Sequence, residues 1–406
     1  MEIAIIGGGI AGLALALNLH RHGIGATVYE AAPEIREIGV GITLLPHAMR
    51  ELERLGIAQK IEQLGVENYS SAFFNRFGQR IYAEERGRNA GYDLPECGIH
   101  RADLHGSLLA AVQEQCGEDT LTLDHQFVSL EQDETGVSLR FERSDGSSVA
   151  ASTDMVLACD GVNSRVRQMF YPGEGVAFGG INTWRGVTRM PPILDGHTYM
   201  RIGTIHSGKL VIYPIRDAID DAGNQLINWV AEIHSDTAGP NEWNKPGRLE
   251  DLMPIFGDWR FDWLDVPEML RRADMIFEYP MVDRDPVDEW TFGRVTLVGD
   301  AAHPMYPRGS NGSAQAMIDA RVLADGLADA GDPREALNAY AAERVPVTSR
   351  IVETNRTAPP DAIIMRVEEL HGDRPFDDIH AIVDEAELRA ISRRYQQIAG
   401  FARPSC

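Results

Sequence analysis

The sequence predicts an α/β protein in which a parallel-sheet domain is interrupted by an inserted, mostly antiparallel β-sheet and followed by C-terminal helices. Three observations predict it. A strand, a glycine turn, a helix and a second strand fill the first thirty residues, short strand-like runs separated by turns occupy 180–290, and alternating strand and helix character returns at Arg294.

Residues 2–6 form a short apolar run ending in glycines, and 10–21 carry apolar residues at helical spacing until Gly23 stops the helix. Residues 26–30 read as the second strand. Segments 44–55 and 102–116 read as helices, the latter with Leu104, Leu108, Leu109 and Val112 along one face. Short strands follow over 127–143, turning at Glu134-Thr135-Gly136, and 155–159 is a buried strand ending at Asp160-Gly161. Runs at 183–187, 210–215 and 226–233 supply the inserted sheet. A strand at 295–298, a glycine-rich segment to Gly312 and a helix over about 313–327 resume the first domain. Two further helices, about 334–355 and 385–396, complete the chain across Pro359-Pro360 and the 372–375 turn. The expected division is therefore 1–70, 98–178 and 291–355 for the first domain, 71–97 and 179–290 for the inserted sheet, and 356–406 for a helical extension.

A chain of 406 residues is long enough for two or three cores, and 44% hydrophobic with 24% charged residues and no low-complexity tract is the composition of a protein folded throughout. The formal net charge of -23 argues against nucleic acid or an anionic membrane as partner, since both require clustered cations. An anionic substrate would need a local basic pocket. No apolar run approaches the length of a membrane span, and the strand starts immediately after Met1, so the expected compartment is the cytoplasm. Cys97, Cys116, Cys159 and Cys406 are scattered without a C-x-x-C pair, which predicts free thiols and no metal site. The chain is expected to be a monomer or a homodimer.

Gly7-Gly8-Gly9-Ile10-Ala11-Gly12 matches G-x-G-x-x-G directly after a strand and at the opening of a helix. Gly7 permits the tight turn, Gly9 lets backbone approach a pyrophosphate at the helix N-terminus, and Gly12 lets the helix pack closely on the strand. Glu30 falls 18 residues after Gly12, where a carboxylate accepts a ribose 2′-hydroxyl and repels a 2′-phosphate. That restricts the adenosine to FAD or NAD. Gly299-Asp300-Ala301-Ala302-His303-Pro304 follows a second apolar strand and precedes a glycine loop and helix. A carboxylate there suits the ribityl chain of a flavin, and the helix starting near Gly312 aims its N–H groups at the pyrimidine edge that becomes negative on reduction. The Rossmann-like domain is thus expected to bind FAD.

On these residues the chain resembles the class A flavoprotein aromatic monooxygenases, the para-hydroxybenzoate and salicylate hydroxylase group, and within it the phenazine hydroxylase type. Further residues carrying the resemblance are Arg101 in Ile99-His-Arg-Ala-Asp-Leu104, Ser164 and Arg167 after Asp160-Gly161, and Pro307, Gly309, Asn311 and Gly312. The phenazine-type likeness lies in Gly180-Ile-Asn-Thr-Trp-Arg-Gly-Val187, Asn228-Trp229-Val230 and Tyr279-Pro-Met-Val-Asp-Arg-Asp-Pro286. The resemblance implies that Arg101 contacts the ribityl or phosphate region, Asp300 the ribityl hydroxyl, 307–312 the isoalloxazine, and Asp160-Gly161 both FAD and the nicotinamide. Ala11, Arg36, Gly41 and Gly299 complete the expected cofactor set. Arg308 departs from the small or hydrophobic residue many members carry, and faces either an anionic substrate, the nicotinamide phosphates or solvent.

The implied reaction is hydroxylation of an aromatic or N-heteroaromatic phenol or carboxylate by FAD, NADH or NADPH and O2, through a flavin C4a-hydroperoxide that a dry pocket must protect. No second G-x-G-x-x-G occurs, so NAD(P)H would bind transiently beside the flavin. No residue is obligatory for the chemistry; the candidates are Arg185, His206, Tyr213 and Arg308, with Leu44, Trp184, Arg185, Tyr213, Trp229 and Pro307 as pocket walls. A flavin reductase or oxidase, a halogenase, and a flavin-binding regulator without turnover are the other readings, although the halogenase W-x-W-x-I-P signature is absent.

Overall fold

The computed structural model describes residues 1–35, 39–237 and 245–402. Its first sheet has six strands in the order Thr291–Phe292, Val295–Leu297, Met155–Ala158, Ile3–Ile6, Thr27–Tyr29, Leu121–Thr122, parallel except for the first pair. Ile3–Ile6 and Met155–Ala158 are buried along their whole length, as expected for strands covered on both faces. Helices Ile10–Arg21, Arg101–Cys116 and Gly312–Asp329 cover the sheet through Leu13, Leu17, Leu108, Met317 and Leu323. The expected parallel-sheet domain is present, and three distant parts of the chain build it. An antiparallel meander, Gln126–Gln132, Val137–Glu142 and Ser148–Thr153, turns at 133–136 where the sequence placed a turn.

The second sheet has eight strands in the order Lys245–Pro246, Ala273–Asp283, Ala177–Met190, Gln225–His234, Gly208–Arg216, Thr198–Thr204, Ser70–Phe74, Arg80–Glu85. All neighbours are antiparallel except Thr198–Thr204 and Ser70–Phe74. Side chains alternate between its faces with period two. Trp184, Met200, Ile202, Leu210, Ile212 and Trp229 point away from the first domain into a core closed by helices Leu249–Phe256 and Val266–Arg271. Thr183, Arg185, Val211, Tyr213, Val230 and Glu232, at the alternate positions, face a cavity.

The segment 44–55 is the end of strand Gly41–Leu44 followed by helix Pro46–Arg54. The helix expected over 334–355 spans Pro333–Thr357, and that over 385–396 spans Glu385–Ile398. Between them lies a third helix, Ala362–His371, absent from the sequence reading. Ile363, Ile364 and Val367 form its short apolar stripe and pack on Phe73, Ile81 and Tyr82 of the edge strands. A stripe of one or two turns gains its stability from that packing rather than from propensity, so the tertiary contact decides it.

Candidate active site

A cavity of about 330 Å³ lies between the two sheets. Gly9, Ile10 and Ala11 approach it from the first helix, Asn311, Gly312 and Ser313 from the helix Gly312–Asp329, and Thr183, Arg185, Tyr213 and Glu232 from the eight-stranded sheet. Neither helix has an acidic residue in its first turn or a side-chain cap, so both positive ends are directed at the cavity without competition from the protein.

The glycine turn has the geometry of an anion cradle. Gly7 adopts φ +105°, and a Cβ on Gly12 would stand 2.0 Å from the Gly7 carbonyl oxygen. A Cβ on Gly9 would meet nothing within 4 Å, so that the space over the helix N-terminus is free for a phosphate. Glu30 stands behind this turn, its two oxygens accepting hydrogen bonds from the Gly8 and Ala32 amides at 2.8 Å each.

On the other side Asp300 is exposed to the cavity, makes no hydrogen bond among the described residues, and has its pKa raised because protein encloses it on the remaining sides. The turn that carries it is anchored underneath. Asp319 accepts from the Gly299 amide at 3.1 Å, His303 Nε2 at 2.5 Å and Arg344 Nε at 2.6 Å, while Arg344 Nη2 donates to Gln315 Oε1 at 2.6 Å. Arg167, fully buried, donates to the Ala301 and Ala302 carbonyls at 3.1 and 2.6 Å and pairs with Glu174. Asp319 and Arg344 were not singled out in the sequence, because their only signal is charge within helical stretches.

Several expected site residues lie elsewhere. Asp160 accepts from Ser164 Oγ at 2.5 Å and from the Arg165 and Val166 amides that open the short helix Arg165–Phe170, whose N-cap is Ser164, and Cys159 and Gly161 on either side of Asp160 line the cavity. Leu44 belongs to the core of the first domain; Thr43, one residue earlier, lines the cavity. Trp184 and Trp229 belong to the far core, where Trp229 Nε1 donates to Thr188 Oγ1 at 3.1 Å. Strand alternation forbids Trp184 and Arg185 from sharing a face. His206 is exposed at the tip of the hairpin between Thr198–Thr204 and Gly208–Arg216 and cannot serve as a base in the cavity. Arg36 lies outside the described residues. Gly9, Ala11, Gly41, Arg101, Gly161, Arg185, Tyr213, Asp300, Pro307, Asn311 and Gly312 do converge on the cavity. The lining residues Thr43, Tyr199, Glu232, Tyr279 and Met305 were missed; Thr183 and Glu232 share the parity of Arg185 and Val230, a signal that was available.

Apolar and aromatic groups form much of the wall. Tyr199 and Tyr213 are stacked with centroids 5.0 Å apart and 9° between planes. Burial pushes both phenols above their ordinary pKa, so at neutral pH they are O–H donors and not bases. Arg185 lies 4.7 Å above the Tyr279 ring and forms no ion pair or hydrogen bond among the described residues, with its Nε buried and unpartnered.

The C-terminal extension reaches this site. Tyr395 Oη lies so close to Gly309 that a Cβ there would stand 1.9 Å away. Asn311 Nδ2 donates to that hydroxyl at 2.9 Å, and the hydroxyl donates to Asn355 Oδ1 at 2.9 Å. Phe401 stacks on His47, centroids 5.3 Å apart and 8° between planes. Both His47 nitrogens are shut off from solvent, and burial lowers the pKa to about 4. An unfolded histidine binds a proton near pH 6.5 that the native ring refuses, so stability is intact above that pH and falls as pH drops toward 4, by about 3 kcal/mol at most. His47→Phe should therefore lose less melting temperature than the parent between pH 7 and 4.5. Equal losses in thermal scans would show that His47 does not control acid stability.

Among the described residues, Cys97, Cys116 and Cys159 are free, no His/Cys/Asp/Glu group could hold a metal ion, and no helix is long and apolar enough to cross a membrane.

The model of the FAD binding domain family matches residues 1–254 and 262–355. Phenazine 1,6-dicarboxylic acid hydroxylase PhzS of Lysobacter antibioticus is 40% identical over 362 residues, 87% of this chain and 89% of that protein. The chain belongs to the class A flavoprotein aromatic monooxygenases. This monooxygenase is also 36% identical to 3-amino-4-hydroxybenzoate 2-monooxygenase of Streptomyces platensis over 364 residues (87% and 86% of the two chains). It is 32% identical to 3-hydroxybenzoate 6-hydroxylase of Polaromonas naphthalenivorans over 368 residues (88% and 86%). Its fold is similar to Klebsiella pneumoniae HpxO complexed with FAD and uric acid, with TM-score 0.76 and 24% identity over 99% of this chain and 95% of that one. It is accordingly an FAD-dependent aromatic hydroxylase using NAD(P)H and O2.

Proposed function

We propose that this monooxygenase hydroxylates an aromatic ring that carries a carboxylate, and that Arg185 binds the carboxylate. The observation that carries the reading is the unpaired Arg185 guanidinium inside a cavity of an otherwise strongly acidic protein. A guanidinium matches a carboxylate in two parallel hydrogen bonds, and its neighbour Tyr279 fixes its plane. The relatives named above act on phenazine 1,6-dicarboxylic acid, 3-amino-4-hydroxybenzoate and 3-hydroxybenzoate, which are all aromatic acids.

In this reading the residues divide the work as follows. The helix N-terminus at Gly9–Ala11 holds the FAD pyrophosphate, Glu30 the adenosine ribose, Arg101 and Asp300 the ribityl region, and 41–43 with 307–312 the ring system. When bound, FAD supplies hydride acceptance and oxygen activation. The protein's own part is to orient the substrate and exclude water. Val211, Val230, Met305 and the stacked tyrosines shed water from the cavity. Tyr213, held neutral by burial, donates a hydrogen bond to an anionic or carbonyl oxygen of the substrate.

Arg185→Met keeps the length of the side chain and removes the charge. KM or Kd for aromatic acids should rise by about 10- to 100-fold, the worth of a hydrogen bond to a charged group, while values for the corresponding neutral phenols stay within about twofold. Unchanged affinity for the acids would remove the reading.

A further inference from the structure

On the inner face of the eight-stranded sheet, a cluster of charges abuts the cavity. Lys209 Nζ lies 2.9 Å from Glu232 Oε1 and 2.5 Å from Asp361 Oδ2, and Arg201 Nε lies 3.4 Å from Asp361 Oδ1. Lys209, Glu232 and Arg201 are each 5% exposed or less. Of this buried set Glu232 lines the cavity. Its second oxygen, Oε2, has no hydrogen-bond partner, and Arg308 Nη2 stands 4.0 Å from it, beyond hydrogen-bond reach. The flanking Lys209 and Arg308 balance its charge, but a buried carboxylate oxygen without a hydrogen-bond donor has lost its hydration and gained no hydrogen bond in return. Its natural partner is a hydrogen-bond donor from outside the chain.

We infer that Glu232 is a specificity-determining residue whose Oε2 accepts a hydrogen bond from an O–H or N–H group on the substrate ring. The inference rests on the aromatic-acid reading above and narrows it to acids that also carry a hydroxyl or amino donor. Register supports the pairing of the two anchors. Glu232 is paired across strands with Thr183, and Arg185 is two residues further along the same strand, so the cation and the carboxylate are diagonal neighbours on one face, about 7–8 Å apart at the backbone. One anchor takes the anionic end and the other the donor. Both fix the ring in its plane, and a site built to accept a hydrogen bond rejects the analogue that lacks the donor because its own oxygen is then left bare.

The test is ligand titration of the FAD-loaded enzyme, followed by the change in flavin absorbance, with benzoate, 3-hydroxybenzoate, 3-aminobenzoate and phenol as probes. Glu232→Gln is the main variant. Lys209 offers only donors, so the replacement amide keeps its carbonyl on Lys209 and turns its NH2 to the cavity. Affinity for the hydroxy and amino acids, and for phenol, should then fall by about tenfold or more, and affinity for benzoate by less than about twofold. Equal losses for all four probes, or no loss for any, overturn the inference. If Glu232→Gln does not retain FAD, Glu232→Asp keeps a negative charge beside Lys209 and withdraws the whole carboxylate from the cavity by one methylene. It should show a smaller loss with the same selectivity; failure of both variants to hold FAD assigns Glu232 a structural role and overturns the inference. Arg185→Met separates the two readings. Unchanged benzoate affinity in that variant defeats the carboxylate reading, while phenol binding to Glu232→Gln still judges Glu232.

Discussion

Gly12→Ala is expected to give a protein without stoichiometric FAD and with a lowered melting temperature. The added Cβ would stand 2.0 Å from the Gly7 carbonyl oxygen and 3.3 Å from Ile5 Cγ2, and the oxygen belongs to backbone that has no side-chain freedom to move aside. Overpacking of this kind costs about 1–3 kcal/mol or more, and relief requires the first helix to lift from the sheet that aims its N-terminus. Gly9→Ala provides the contrast. Its Cβ meets no protein atom within 4 Å, so the FAD-free protein should melt at an unchanged temperature while FAD affinity falls, because the methyl occupies the phosphate space. Flavin-to-protein absorbance ratios and thermal scans of the two variants distinguish these outcomes. Full FAD occupancy in Gly12→Ala would refute the packing argument, and an equal loss of apo-protein stability in Gly9→Ala would refute the assignment of the open space to the cofactor.

Arg344→Met should be the most destabilising of the substitutions away from the cavity wall. It removes one partner of Asp319, which is completely buried and holds the Gly299 amide and His303 under the Asp300 turn. Leaving a buried charge without its partner costs about 3–5 kcal/mol, a large share of the 5–15 kcal/mol typical of a folded domain. The sign with pH follows from the carboxyl. Burial alone would raise the pKa of Asp319, but the His303 and Arg344 side chains outweigh it and hold it below the ordinary carboxylate value. The parent's stabilisation from Asp319 is therefore complete above about pH 4 and lost only as pH falls through the lower native value. Without Arg344 the carboxyl is more readily protonated, so the difference in melting temperature between parent and variant should narrow on acidification. A difference that is constant from pH 8 to 4.5, or a variant that melts with the parent, would show that the pair is not the keystone of the turn.

How much was legible in the sequence follows the range of the physics involved. The strand, glycine turn and helix at 3–21 are specified by residues within one turn of each other, and their apolar periodicity and glycine placement survive translation into structure with only a residue or two of movement at the ends. The same is true of the Gly299–His303 turn and the helix after it. Pocket composition was less legible. Trp184 and Trp229 have the residue types of an aromatic-binding wall, but Arg185 and Val230 beside them are the residues that reach the cavity. Period two places Trp184 and Trp229 with Leu210 and Ile212 on the side that buries most apolar area. Asp160 reads as a ligand in the sequence, but it sits four to six residues from hydroxyl and amide donors that take both its oxygens.

By itself the sequence determined the FAD-binding α/β architecture, because glycine geometry, helix periodicity and the acid after the second strand are local properties. The tertiary structure alone decided which face of the inserted sheet meets the cofactor domain, the pairing of Asp319 with Arg344, the closure of the glycine loop by Tyr395, and the presence of Glu232 beside an unpaired Arg185. Each of these depends on groups tens or hundreds of residues apart, brought together by burial of apolar surface that local patterns do not encode.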